Sequence, residues 1–183
     1  MNEHVHAGPQ VIAARPLTAE AFAAYGQVLQ GTGPVTERKE FASRMQNGRP
    51  HAKPNMTYMK VLPSTGRVLV RAVERHPFSN QTFVPLNGTQ HLVAVCPSAP
   101  DGTPEVARLQ VFVASGSQAV NYDANVWHAP PAPSGQCPGS STATGVASAI
   151  SSVSWAPPSS QRNITNSPGA LSAVRGACHT LAS

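Results

Sequence analysis

Short hydrophobic runs separated by turn-forming residues dominate residues 56 to 128. The stretches MTYMKVL, from residue 56, and QTFVPLNG, from residue 81, alternate between apolar and polar positions. Two further stretches, QHLVAVCP and LQVFVASG, are short apolar runs bounded by proline or glycine. Both patterns are typical of β-strands. Because no helical pattern separates these runs, the sequence predicts an all-β sandwich or barrel.

The segment before these strands predicts one short helix followed by a long polar loop. In PLTAEAFAAYGQVL, Thr18 stands at the N-cap position and Gly26 ends the helical pattern. Phe22 and Tyr25 lie three residues apart, on one face of that helix. Residues 27 to 55 are rich in polar residues, Gly, Pro and Asn, and they predict a loop with at most one strand.

Charged residues almost disappear after residue 128. Residues 129 to 183 contain only Arg162 and Arg175 amid Ser, Pro, Ala, Gly and Thr. A globular surface normally carries about a quarter charged residues. We therefore expect residues 1–130 to form the folded domain and residues 131–183 to form an atypical, disordered tail. Within this tail, TGVASAISSVSW predicts one weak strand by its alternation.

Charge and cysteine content exclude several classes of protein. The chain of 183 residues has a formal net charge of +5, but its basic residues are scattered. No basic stripe or known module indicates nucleic-acid binding. The three cysteines have no CxxC spacing, which excludes a thiolate metal site and a disulfide scaffold. No apolar run approaches the ~20 residues of a membrane span, and no secretory signal is visible, so we expect a cytoplasmic protein.

One stretch, ERHPFSNQTFVPLNG at residues 74–88, carries side chains suited to chemistry. Alternation places Glu74 and His76 on one face of a strand and Arg75 on the opposite face. Gln81 then shares a face with Phe83 in the following strand. If that face lines the inside of a barrel, His76 and Gln81 converge in one cavity.

A second stretch, GSQAVNYDANVWHAP at residues 116–130, completes a double motif that resembles cupin barrels. Gln81 stands where the first cupin motif usually has Glu, and Gly88 follows seven positions later. Gly116 and His128 fit the second motif with a one-residue insertion. His128 is therefore expected to enter the same cavity from a separate strand.

The longer pattern is similar to the ureidoglycolate lyase family. The similar elements are Glu-Arg-His-Pro, the Gln-Thr-Phe strand with its Pro, and Gly-x-Gln-x-Val-x-Tyr-x-x-x-x-Trp-His. LTAEAFAAYGQVL and RMQNGRPHA resemble the family's opening helix and Asn-Gly loop, so the resemblance covers about residues 15 to 130. It implies a mainly β, cupin-like (RmlC-like) antiparallel β-barrel or jelly roll with one or two short helices.

The resemblance also implies an activity, namely cleavage of (S)-ureidoglycolate to glyoxylate and urea in allantoin degradation, by a homodimer. Collapse of this hemiaminal needs one proton removed from its hydroxyl and one delivered to the departing nitrogen, which suits histidine. Three residues are candidate catalytic groups: His128 first, then His76 and Tyr122. Four residues are candidate substrate-binding groups: Gln81, Arg75, Asn47 and Trp127.

A metal and a non-catalytic role are the remaining alternatives. Cupins often bind a metal, and the family resemblance brings in nickel, for which His76, Gln81 and His128 would be the ligands. Because a neutral amide is a poor third ligand, we expect no tightly bound metal.

After Pro130 the chain departs from the family pattern, which suggests a frameshifted or mis-spliced end. Loss of terminal strands would open a sheet edge, so the alternative function is an inactive module that binds small carboxylates.

Overall fold

The structure, a computed structural model, consists mainly of β-strands. It describes residues 10–31, 33–36, 38–61 and 67–130, together with strand segments at 132–133, 148–154, 162–163 and 172–175. Its only α-helix in these residues has four residues. The predicted mainly β, cupin-like fold is confirmed.

The described elements, in chain order, are mostly strands. The strands are β1 (Val11–Ala13), β2 (Arg15–Pro16), β3 (Gly26–Leu29), β4 (Asn55–Val61), β5 (Arg67–Val70), β6 (Ala72–Val73), β7 (Gln81–Pro85), β8 (Gly88–Cys96), β9 (Gln110–Gly116), β10 (Ala119–Tyr122), β11 (Trp127–His128), β12 (Ala132–Pro133), β13 (Ser148–Ser154), β14 (Arg162–Asn163) and β15 (Ser172–Arg175). The helices are α1 (Ala19–Phe22) and two 3-10 turns, Ala42–Arg44 and Val106–Arg108.

Two five-stranded sheets form the body of the fold. The first has the order β3-β10-β7-β13-β4, and all of its pairings are antiparallel. The second has the order β11-β8-β9-β2, with β12 also paired to β8, and only β2–β9 is parallel. Strands β1, β15 and β5 form a third sheet, and β14 pairs with β6. The strands that the structure describes do not close into one continuous barrel.

The main core lies between the two large sheets. Phe83 and Val120 from the first sheet pack with Val93, Val95 and Phe112 from the second. Alternate residues of β8 point to opposite faces of its sheet. A second cluster therefore covers the other face of that sheet, and it contains the buried residues Ala14, Val70, Val73, Leu92, Ala94, Cys96, Leu109, Val111 and Trp127.

The two motif glycines meet where β8 and β9 come together. Gly88 pairs with Gly116, and Gly88 has a φ of 70°, in the left-handed region that favours glycine. A Cβ added to Gly116 would lie 1.7 Å from the Gly88 carbonyl oxygen. Only glycine permits this close approach of the two strands, so steric contact explains why both cupin-like motifs have glycine at these positions.

The predicted N-terminal helix is confirmed but is shorter than the sequence pattern. Thr18 caps α1, and its side-chain oxygen accepts a hydrogen bond from the Ala21 N–H at 3.2 Å. Gly26, expected to end the helix, is instead the first residue of β3. Phe22 and Tyr25 both pack in the core between the sheets, so tertiary contacts fix this segment.

The weak strand expected in the tail is confirmed as β13. It pairs with β7 on one side and with β4 on the other, so both sides of β7 are paired. The prediction of a disordered tail falls largely on residues outside those described. Among the described residues, no helix has the length and apolar character needed to span a membrane.

Candidate active site

His128 enters the core on the short strand β11. The strand pairs with β8, and His128 also exchanges two backbone hydrogen bonds with Glu74, of 2.7 and 2.9 Å. The side chain of His128 is 1% exposed. These contacts on both sides of β11 fix the imidazole inside the protein, as the sequence analysis expected.

Each ring nitrogen of His128 has one hydrogen-bond partner. Its Nδ1 lies 2.9 Å from the Val126 carbonyl oxygen, and its Nε2 lies 2.6 Å from Gln81 Oε1. A backbone carbonyl can only accept, so in the neutral ring Nδ1 carries the proton and Nε2 carries a lone pair. The Gln81 amide is then turned so that its NH₂ group donates to Nε2, because the oxygen and nitrogen positions of an amide are interchangeable.

Burial keeps His128 neutral. It lowers the pKa of His128 to about 3, and the hydrogen bond to Val126, which acts in the opposite direction, is the smaller effect. His76 lowers this pKa further. The ring of His128 stacks on Tyr122, with centroids 4.1 Å apart and planes at 13°. Burial, and next to it Glu74, raises the pKa of Tyr122, so its phenol keeps its proton.

His76 is buried next to His128. The residue is 6% exposed, and its ring stacks on His128 with centroids 5.7 Å apart. Burial lowers the pKa of His76, while Glu74 and Gln81 oppose the shift. Within the described part of the chain, neither ring nitrogen of His76 has a hydrogen bond of good geometry. Buried polar atoms of this kind normally have a partner, so the site is suited to a polar ligand.

Glu74 is the residue that sequence reasoning left out of the site. Its Oε1 lies 3.8 Å from His128 Nε2, and its side chain is 14% exposed. Alternation already placed Glu74 on the same face as His76, but a glutamate at a strand end is more often a surface residue. The backbone pairing of Glu74 with His128 is what brings its carboxylate to the imidazoles.

Glu74, His76 and His128 could hold a metal ion. One ligand atom from each lies within 4.8 Å of the others. Two imidazoles and a carboxylate suit a divalent transition metal. His128 also bonds a backbone carbonyl through its other nitrogen, as metal-binding histidines usually do. The donor set therefore fits a metal better than the set His76, Gln81 and His128 expected from the sequence.

Two of the expected substrate-binding residues, Arg75 and Trp127, lie apart from this cluster. The Arg75 guanidinium lies 4.6 Å from the centre of the Trp127 ring, and Trp127 packs in the cluster on the other face of its sheet. Asn47 is exposed and forms an isolated bridge with Ser79 in the turn before Gln81. The structure thus brings together His128, His76, Tyr122 and Gln81, but neither Arg75 nor Trp127.

Comparison with known proteins identifies the family. The profile described as ureidoglycolate lyase matches residues 9–139. The chain belongs to the ureidoglycolate lyase family. A protein of Agrobacterium fabrum is 38% identical over 133 residues, covering 69% of this chain and 80% of the relative. The ureidoglycolate lyases of Brucella anthropi and Schizosaccharomyces pombe are 36% and 35% identical, covering 66% and 65% of this chain and 75% and 76% of their own lengths.

The match to the ureidoglycolate lyase family contains the whole cluster. Both motif stretches, residues 74–88 and 116–130, lie within residues 9–139. Most of the tail lies outside the matched residues. The resemblance that the sequence analysis based on these two stretches is therefore confirmed.

Proposed function

We propose that this chain is a ureidoglycolate lyase that cleaves (S)-ureidoglycolate to glyoxylate and urea in the cytoplasm, as a step of allantoin degradation. The observation that carries the proposal is the 2.6 Å contact between His128 Nε2 and the Gln81 amide inside the core. This contact between a neutral imidazole and an amide from separate strands supports a site in which both groups act on one small molecule. Membership of the family supplies the reaction.

His128 is the proposed acid–base group. The Val126 carbonyl holds the proton on Nδ1, and the Nε2 lone pair, which accepts from the Gln81 amide, takes the proton of the substrate hydroxyl once the substrate replaces Gln81 at Nε2. The electron pair of that O–H bond then forms the carbonyl of glyoxylate, and the bond between the carbon and the ureido nitrogen breaks. The imidazolium returns its proton to this nitrogen, which gives urea and restores neutral His128.

The neighbours of His128 support these two transfers. Glu74 Oε1, 3.8 Å from Nε2, stabilises the imidazolium while it exists. Tyr122 stacks on the ring and holds its plane, and its raised pKa keeps the phenol protonated, so it does not take up a proton itself. Gln81 binds the ureido or hydroxyl group, and His76 is the second acid–base candidate.

A divalent metal such as nickel would bind through Glu74, His76 and His128 and would polarise a substrate oxygen. Binding through Nε2 would remove the lone pair that proton transfer by His128 needs. The two roles of His128 therefore exclude each other. Activity measured before and after removal of metal with a chelator distinguishes them.

The domain and assembly assignments are also proposals. All residues of the proposed site lie within 1–130, which we propose as the lyase domain, followed by a 131–183 tail that contributes β13. Met56 and Tyr58 are 76% and 58% exposed on β4, the last strand in the order of the first sheet. This apolar surface supports a homodimer, which light scattering would test.

The test of function is a direct assay of both products from (S)-ureidoglycolate. We expect the wild-type chain to release glyoxylate and urea in equal amounts, and His128→Ala to lower kcat/KM by about 10² to 10⁴, the usual contribution of an acid–base group. Unchanged turnover in His128→Ala would remove this residue from the mechanism. Glyoxylate binding without urea release would favour the non-catalytic module. No particular contact among the described residues favours that alternative.

A further inference from the structure

Among the described residues, the cluster around His128 contains no cationic side chain that could bind the carboxylate of the substrate. Both histidines have lowered pKa values and are neutral, and the nearby Glu74 would repel an anion. The expected partner, Arg75, stacks on Trp127 at the other face of the sheet. A carboxylate is normally bound by a guanidinium or by several N–H donors. The missing cation must come from another element beside the site.

The Asn-Gly loop, residues 46–49, is the element that lies against the entrance to β7. It runs antiparallel to residues 78–80, which lead directly into Gln81. The Gln46 N–H donates to Asn80 Oδ1 at 2.6 Å, Asn47 bridges to Ser79, and the Gly48 N–H donates to the Phe78 carbonyl at 2.7 Å. Three consecutive residues of the loop are thus held by the turn that joins His76 to Gln81.

Close packing at Gly48 places the next residue against this turn. A Cβ on Gly48 would lie 3.2 Å from the Phe78 carbonyl oxygen, so a larger residue would push the loop away. Arg49 then packs its guanidinium over the Phe78 ring, 5.0 Å from the ring centre. This stacking fixes the position of a long side chain and reduces the entropy lost when it binds a ligand.

Two buried side-chain atoms at this point have no hydrogen-bond partner in the described residues. Arg49 Nε and Ser79 Oγ are both buried and make no hydrogen bond there. Arg49 has no carboxylate within ion-pair distance there, whereas Arg44 and Arg108 are paired with Asp123 and Glu105. Arg49 lies on the loop that pairs with Ser79, and a positioned guanidinium and a buried hydroxyl that both lack a partner in the described residues suit an anion.

We propose that Arg49 binds the carboxylate of ureidoglycolate, with the Ser79 hydroxyl as a second donor. The inference rests on the proposed function and adds the residue that selects hydroxy acids carrying an α-carboxylate over neutral analogues. The Asn-Gly loop then has a stated role. It holds the cation against the turn that joins His76 to Gln81.

The test measures the two halves of the substrate separately. Glycolate carries the carboxylate and hydroxyl, and urea is the leaving group. We expect Arg49→Gln to weaken glycolate binding about 10- to 100-fold, as loss of a charged hydrogen bond does, and to leave urea binding unchanged. In turnover, the KM for ureidoglycolate rises by a similar factor while kcat changes little. Arg49→Lys keeps the charge and should recover part of the affinity.

The exposed Arg71 offers a matched control, because Arg71→Gln removes the same charge elsewhere. Equal glycolate affinity in Arg49→Gln and the wild type would overturn the inference, as would parallel loss of glycolate and urea binding. A wild-type chain that does not bind glycolate overturns it too. Absence of ureidoglycolate turnover in a wild-type chain whose glycolate binding depends on Arg49 would instead count against the proposed function alone.

Discussion

His91 makes the stability of this protein sensitive to mild acid. It lies on β8 opposite Ala114, faces the core between the sheets with Val93, and is 2% exposed. Burial lowers the pKa of His91 to about 4 from its ordinary 6.5, and the opposing effect of the Thr89 backbone is smaller. The folded protein therefore holds this imidazole in its neutral form.

The sign and size of the effect follow from these two values. The contribution of neutral His91 is fully present above pH 6.5. Below that pH the unfolded chain binds a proton that the folded chain does not bind, so stability falls until the pH reaches about 4. The total loss is about 3 kcal/mol, of which about 2 kcal/mol falls between about pH 7.5 and about pH 5.

The variant His91→Leu isolates this contribution. We expect its free energy of unfolding in urea to fall by about 2 kcal/mol less than that of the wild type between about pH 7.5 and about pH 5. His76 and His128 shift in the same direction, so both proteins lose some stability and only the difference counts. His51→Gln, at an exposed position, should follow the wild type. Identical slopes for His91→Leu and the wild type would refute the reasoning.

Two further substitutions test the surroundings of the site. Asn80→Ala removes the hydrogen bonds to the Gln46 N–H and the Tyr122 carbonyl, and we expect the free energy of unfolding in denaturant to fall by about 1–3 kcal/mol. As a control, Asn55→Ala at an exposed position should change the stability little. An Asn80→Ala protein of full stability would contradict the structure. Glu74→Gln should weaken the binding of nickel at least about tenfold in titration calorimetry, an expectation that equal affinities would rule out.

The strands of the site could be predicted because they have a local cause. Short apolar runs bounded by proline or glycine, such as QHLVAVCP and LQVFVASG, indicate buried strands, and this pattern is visible within a short window of the chain. Pairing Gln81 with His128 needed the family resemblance in addition. The two residues are 47 positions apart, and no local pattern indicates that their strands meet.

The positions of Glu74 and Arg75 show where local reasoning ends. Both follow the same alternation, which correctly put them on opposite faces. Alternation could not show which face lines the cavity and which packs on Trp127, because that depends on strands from later in the sequence. The isolated bridge between Glu74 and His128 decides it. The partner of Asn47 could not be predicted either, because Ser79 lies in a turn whose path the local sequence does not indicate.

The sequence by itself determined the class of fold, the family and the short list of reactive side chains, because residue type and spacing encode burial on one face of a strand. Only the tertiary structure decided the state of those side chains. The proton position on His128 depends on the Val126 carbonyl, and its neutrality depends on burial by both sheets. Such electrostatic effects act between atoms that are close in space, and only the folded chain brings those atoms together.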